Sequence, residues 1–133
     1  MPASEYTADL IASALANGDA YQGPATIYLA LVTTMPTAGE EGTEVTLGSY
    51  ARKSFAQSGW TNDDAGGLTN TADIEFVTAT ADYDDDVVAV CGYDDDGDPS
   101  GNFLWWIPLT ASKTIVDGQT PKFLAGDLAL TIT

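Results

Sequence analysis

The sequence predicts an all-β protein, an antiparallel β-sandwich of about seven to nine strands with one N-terminal helix. Short runs of β-branched and aromatic residues recur along the chain, separated by clusters of Gly, Pro, Asn, Asp and Ser, which is the spacing of a protein built from hairpins. Several runs alternate apolar with polar or small residues, so that one face of each is buried. Only one segment, near the N-terminus, has both the periodicity and the caps of a helix. The 133 residues fit a single domain, 1–133, with 1–20 as an N-terminal helical segment.

Ser4 to Asn17 is that helix: Ser4 is a capping residue, Glu5 and Asp9 lie in the first turns, and Gly18 stops it. Tyr6, Leu10 and Ala14 share one face, with Ile11 and Leu15 beside them. The face is narrow and Ala-rich, and a sheet or a neighbouring subunit is expected to cover it. Asn17 to Pro24 reads as a polar turn. Ala25 to Thr34 is apolar on both faces, as in a strand covered on both sides. Met35 to Ser49, with Pro36, Gly39, Gly42 and Gly48, is an exposed loop in which Val45 to Leu47 makes a short edge strand. Tyr50 to Phe55 is the next strand, and its Arg52 is placed to fork onto a carboxylate and tie loop to sheet. After a turn from Gly59 through Gly67, the stretch Gly67 to Thr78 alternates Ala72, Ile74 and Phe76 inward with Thr71, Asp73 and Glu75 outward.

Val87 to Tyr93 and Gly101 to Leu109 (GNFLWWIPL) form a hairpin joined by the acidic loop Asp94 to Asn102. The aromatic run of the second arm marks it as a central strand. Thr114 to Val116, Lys122 to Leu124 and Leu128 to Ile132 complete the series, the first two separated by a turn at Asp117-Gly118.

Charge is the strongest compositional fact. Twenty Asp plus Glu stand against four Lys plus Arg, with no His, for a formal net charge of −16. The acids are dispersed through a chain that is 44% hydrophobic and 10% aromatic, so they decorate a folded protein and do not form a disordered tail. Such a surface repels itself unless salt screens it, which points to a halophilic source. It also excludes nucleic acid as a partner, because phosphate recognition needs clustered cations. Cys91 is alone, so no intramolecular disulfide forms; its apolar run makes it a small buried hydrophobe. No apolar run approaches the length of a membrane span, and no secretory leader pattern is present, so neither membrane insertion nor cleaved-signal export is expected.

The residues that bear chemistry are few. Asp94, Asp96 and Asp98 are candidate ligands for Ca²⁺ or Na⁺, with Asp84 to Asp86 as a second set. An EF-hand is excluded, since Pro99 and Trp105 stand where its glycine and bidentate Glu belong. The other reading of these acids is a solvated hairpin loop. No catalytic residue and no organic cofactor site is expected: without His the usual general base is missing, and Cys91 has nothing to activate it. Trp105 and Trp106 point to opposite faces of one strand, so each packs into the core or an interface. Candidate assembly residues are Tyr6, Leu10, Ala14, Trp105 and Trp106.

In order and spacing, Tyr28 to Leu31 with Thr33, Thr34 and Pro36, then Gly48 to Arg52, Asn70 to Thr80, Gly101-Asn102 with Trp106 and Pro108-Leu109, and Lys113 to Leu128 resemble a family of short structural proteins of tailed viruses, tail-fibre-like or head-decorating. The likeness runs over about residues 25 to 132. It implies a β-sandwich component of the virion with no catalytic role. The acidic insertions at Asp82 to Asp86 and Asp94 to Asp98 are departures that fit a virus of a halophilic archaeon. On this basis the leading expectation is a capsid decoration or turret subunit that works as a homo-oligomer beside other capsid or tail proteins. The alternatives are a tail-tip, tail-fibre or baseplate component, or a module binding host surface glycans or Ca²⁺.

Overall fold

A computed structural model describes residues 3–18, 20, 23–24, 26–62, 67–97 and 101–131. Among them lie one α-helix and nine strands. The helix, α1 (Glu5–Asn17), begins where Ser4 accepts the Thr7 N–H at 3.2 Å and ends where Gly18 takes a left-handed φ of 73°. Ser4 thereby caps one of the unpaired N–H groups and Gly18 turns the chain out of the helix, as the sequence suggested.

The strands are β1 (Thr26–Val32), β2 (Lys53–Ala56), β3 (Trp60–Asn62), β4 (Gly67–Asn70), β5 (Ile74–Glu75), β6 (Val87–Tyr93), β7 (Phe103–Lys113), β8 (Lys122–Phe123) and β9 (Ala129–Thr131). They pair antiparallel in three sheets, ordered β2-β1-β6-β7, β3-β4-β9 and β5-β8. The four-stranded sheet forms one layer and the two smaller sheets the other. Between them lies a core of Ile27, Leu29, Leu31, Val90 and Ile107 from the first layer against Ile74, Phe76, Phe123, Leu128 and Leu130 from the second. Alternation along each strand sends these side chains inward, so the expected antiparallel sandwich is observed.

Several elements differ from the sequence expectation. The GNFLWWIPL run belongs to β7, which is an edge of its sheet; β1 and β6 are the interior strands. Pro108 is compatible with the edge position, because a residue without N–H fits a strand where that group faces away from a partner. Irregular register between Val87 and Ala89, which pair with Lys113 and Pro108, bulges β7 further. Thr114 to Val116 is not a strand. Its backbone bonds elsewhere: the Ile115 carbonyl accepts from Tyr83 N–H and the Val116 N–H donates to the Gln119 side chain.

Gly67 to Thr78 is two strands in different sheets. Buried Asn70 breaks it, accepting the Leu128 N–H and donating to the carbonyls of Ala72 and Leu124. Ala72 is consequently exposed, while Ile74 and Phe76 are buried as expected. Tyr50 to Arg52 precede β2 and do not belong to it, and Val45 to Leu47 forms no strand. The chain there makes a single bridge, Val32 to Glu44, with Val45 N–H donating to the Leu31 carbonyl. Ile132, Asp63 and Asp64 lie outside the described residues.

Candidate functional site

β1 has β2 beside its first half and the Thr43 to Val45 segment beside its last residues, which leaves a gap at Leu31. Tyr50 fills it. Its hydroxyl accepts the Leu31 N–H at 2.9 Å and donates to Glu44 Oε1 at 2.9 Å. Glu44 in turn receives Arg52, whose Nε lies 3.0 Å from Oε1 and whose Nη2 lies 2.8 Å from Oε2. Arg52 Nη1 donates to the Asp95 carbonyl at 3.1 Å, and the guanidinium lies 3.7 Å from the centre of the Tyr93 ring. Burial opposes the Arg52 charge, but the hydrogen bonds and charge of Glu44 outweigh it and raise the pKa. Burial, then the Glu44 charge, raises the Tyr50 phenol far above its usual range. The expected Arg52 fork is therefore present, and it joins three separate parts of the chain: the 33–44 loop, the lead-in to β2 and the acidic loop after β6. Nothing local in the sequence marked Glu44, Tyr50 or Tyr93 as its partners; the only signal was the scarcity of cations.

The candidate assembly residues occupy two places. A backbone bond from Ser4 N–H to the Leu104 carbonyl fastens the start of α1 to the β7 edge, and one from Glu5 N–H to the Ala38 carbonyl ties it to the loop after β1, both at 2.8 Å. The helix buries Thr7; Leu10 and Ala14 are half-buried, Tyr6 is 41% exposed and Leu15 is 83% exposed. Under the helix an open groove of about 360 Å³ is lined by Thr7, Ile11, Ile27, Trp60 and Trp105, among others.

Trp105 is buried and meets Trp60 edge-on at 5.7 Å. It lies so close over β6 that a Cβ on Gly92 would stand 2.5 Å from its ring, so only glycine fits there. Trp106 faces the other way, half-buried and stacked on Phe103 at 5.9 Å, with Tyr93 beyond. The expectation of opposite faces for the two tryptophans holds.

The acidic loops serve the backbone. Both carboxylate oxygens of Asp94 are engaged by Asn102, at 2.6 and 2.9 Å, and Asp95 accepts the Gly97 N–H. Asp96 is exposed, and Asp98 lies outside the described residues. Asp82 accepts from Asp117 N–H, Asp86 from the Thr114 hydroxyl, and Asp73 from Ala125 N–H. Among the described residues no group of three or more His, Cys, Asp or Glu is gathered as metal ligands. Cys91 is fully buried, and burial, then the charges of Glu44 and Glu41, push its thiol far above the ordinary range, so it is not a thiolate at neutral pH. No helix among the described residues is long and apolar enough to cross a membrane.

With the fold and these surfaces in place, comparison with known proteins is informative. Residues 2–131 match the family described as Podophage GP4 fiber I protein gp80. The chain belongs to that family. It is a virion protein of a tail-fibre-like structural family, which agrees with the resemblance carried by its segment order. No curated protein matches the chain.

Proposed function

We propose that the protein is a non-catalytic fibre subunit of a tailed virus, acting as a homo-oligomer attached to other virion proteins. The observation that carries this reading is the match to a podophage fibre family over residues 2–131. It favours the fibre alternative over the capsid decoration or turret that the sequence suggested. Leu15, 83% exposed on a helix fastened at its start to the sheet edge, supplies an apolar contact for a neighbouring copy. The absence of His and the inert Cys91 support a role without catalysis. The excess of acid, with its dispersed carboxylates, supports adaptation to high salt.

Two measurements test this. Antibody labelling of intact particles is expected to mark the tail appendages; label on the capsid faces would overturn the fibre assignment. In solution, the mass at high salt is expected to be a small multiple of the chain, reduced by Leu15→Asp. A monomer in both forms would remove the oligomeric part.

A further inference from the structure

A second cleft, of about 450 Å³, opens where β7 ends and the chain returns through β8. Its floor is apolar, formed by Leu31, Val87, Ile115 and Phe123. Its rim is polar and holds two of the chain's four cations, Lys113 and Lys122, together with Gln119.

The hydrogen-bonding state of the rim is one-sided. Gln119 Oε1 accepts the Val116 N–H at 3.0 Å, and its amide NH₂, on a residue that lines the cleft, has no partner among the described residues. The Thr114 hydroxyl is occupied by Asp86 and the Thr120 hydroxyl by Thr78. Lys122 is shared between Asp73 and Glu75 at 3.5 and 3.3 Å. Lys113 has no carboxylate within ion-pair distance among the described residues, and its ammonium sits 5.6 Å from the centre of the Phe123 ring, above the cleft floor. Of the chain's four cations, Arg52 and Lys122 are ion-paired among the described residues while Lys53 and Lys113 are not, and of those two only Lys113 lines the cleft. The Lys113 ammonium and the Gln119 amide NH₂ are thus the rim donors left without an ion-pair or hydrogen-bond partner among the described residues, and such donors over an apolar floor suit an anion with an apolar body.

We propose that this cleft binds a carboxylate carried on a ring-sized body, with Lys113 pairing the carboxylate, the Gln119 amide donating to it, and the ring resting on Ile115 and Phe123. Two sources share that chemistry: an acidic sugar residue of a surface glycan, and a free organic acid. The net repulsion of the acidic protein does not prevent entry, because at physiological ionic strength charges beyond about 8 Å are largely screened, and at the cleft itself Lys113 supplies the cation that has no carboxylate within ion-pair distance, Lys122 being matched by Asp73 and Glu75. The inference stands on the cleft alone and does not depend on the fibre assignment.

Methyl β-glucuronide, its neutral counterpart methyl β-glucoside, and cyclohexanecarboxylate would each be titrated into the intact isotope-labelled protein while backbone amide shifts are followed. Saturable shifts over residues 113–123 are expected with one or both acids and not with the glucoside. Glucuronide alone assigns the sugar source, and cyclohexanecarboxylate the free acid. Lys113→Gln, at an exposed position, is expected to weaken binding roughly tenfold or more through loss of a charge-assisted bond. Lys53→Gln makes the same charge change on β2, outside the cleft, and is expected to leave binding unaltered. Equal binding of the glucoside, equal weakening by both lysine substitutions, or no saturation with either acid at about 100 mM, a hundred times a weak millimolar Kd, would overturn the proposal.

Discussion

The two faces of the β2-β1-β6-β7 sheet are both buried but built from different materials. The inner face carries Leu29, Leu31, Val90, Trp105 and Ile107, which fill the space to the second layer of strands. The outer face carries Ala30, Val32, Ala89 and Cys91, with the Tyr93, Phe103 and Trp106 rings at one end. A sheet facing a sheet stands about 10 Å away and needs long side chains to close the gap. Small side chains let loop backbone approach closely, as where the Glu41 carbonyl lies 3.8 Å from Cys91 Sγ. The lesson is that one face holds by volume, while the other depends on a loop being kept in place, which is the work of the Glu44–Arg52 pair.

The largest effect should come from testing the faces through adjacent residues. Trp105→Ala is expected to cost about 3 to 5 kcal/mol by opening a cavity in the inner layer, and Trp106→Ala, half-buried, about 1 to 2 kcal/mol. Urea unfolding of both variants measures the difference; equal losses would erase the distinction between the faces.

Next, Arg52→Met leaves Glu44 without its cation, the Tyr50 hydroxyl still donating to it, in a mostly buried setting, the Arg52 and Glu44 side chains being 11% and 24% exposed. Destabilisation of about 2 to 3 kcal/mol is expected, below the full penalty for a wholly buried pair because Glu44 reaches some water. Hydrogen exchange should accelerate first at Thr43 to Val45. If protection there is unchanged, the pair does not hold the loop.

Ala30→Leu probes the outer face by addition. Ala30 has no exposed surface, so the three added carbons must displace the covering loop, at about 1 to 3 kcal/mol. A neutral result would mean that the loop yields freely.

The smallest effect near neutral pH concerns the phenols. Burial raises the pKa of Tyr50 and Tyr83 on the inner side and of Tyr93 on the outer, with nearby acidic groups adding to the first and last. A folded pKa above the unfolded value of about 10 means that the stabilisation is complete below pH 10 and declines as pH rises beyond it. In an alkaline titration the share of ionised-tyrosine absorbance that belongs to these three of the chain's six tyrosines should therefore appear only together with unfolding. Ionisation of these three rings in a protein whose fold is still intact would contradict their burial.

What the sequence determined by itself follows from local rules. The α1 caps, the bounds of β6, the opposite facing of Trp105 and Trp106 and the burial of Cys91 all depend on neighbours within a few positions, where periodicity and turn chemistry act. The sandwich class followed from the same patterns summed over the chain. Arg52 was legible as a paired cation because the chain has so few. Its partner was not, since Glu44, Tyr93 and Asp95 come together only when β1 and β6 pair. Tertiary structure also decided that β7 is an edge, because strand order depends on which chains fill each side and an apolar run does not encode it. It broke Gly67 to Thr78 at Asn70, whose side chain bonds to backbone 54 and 58 residues away. And it left Lys113 without an acid over a cleft, a circumstance set by where twenty carboxylates came to rest in space, which no reading along the chain can order.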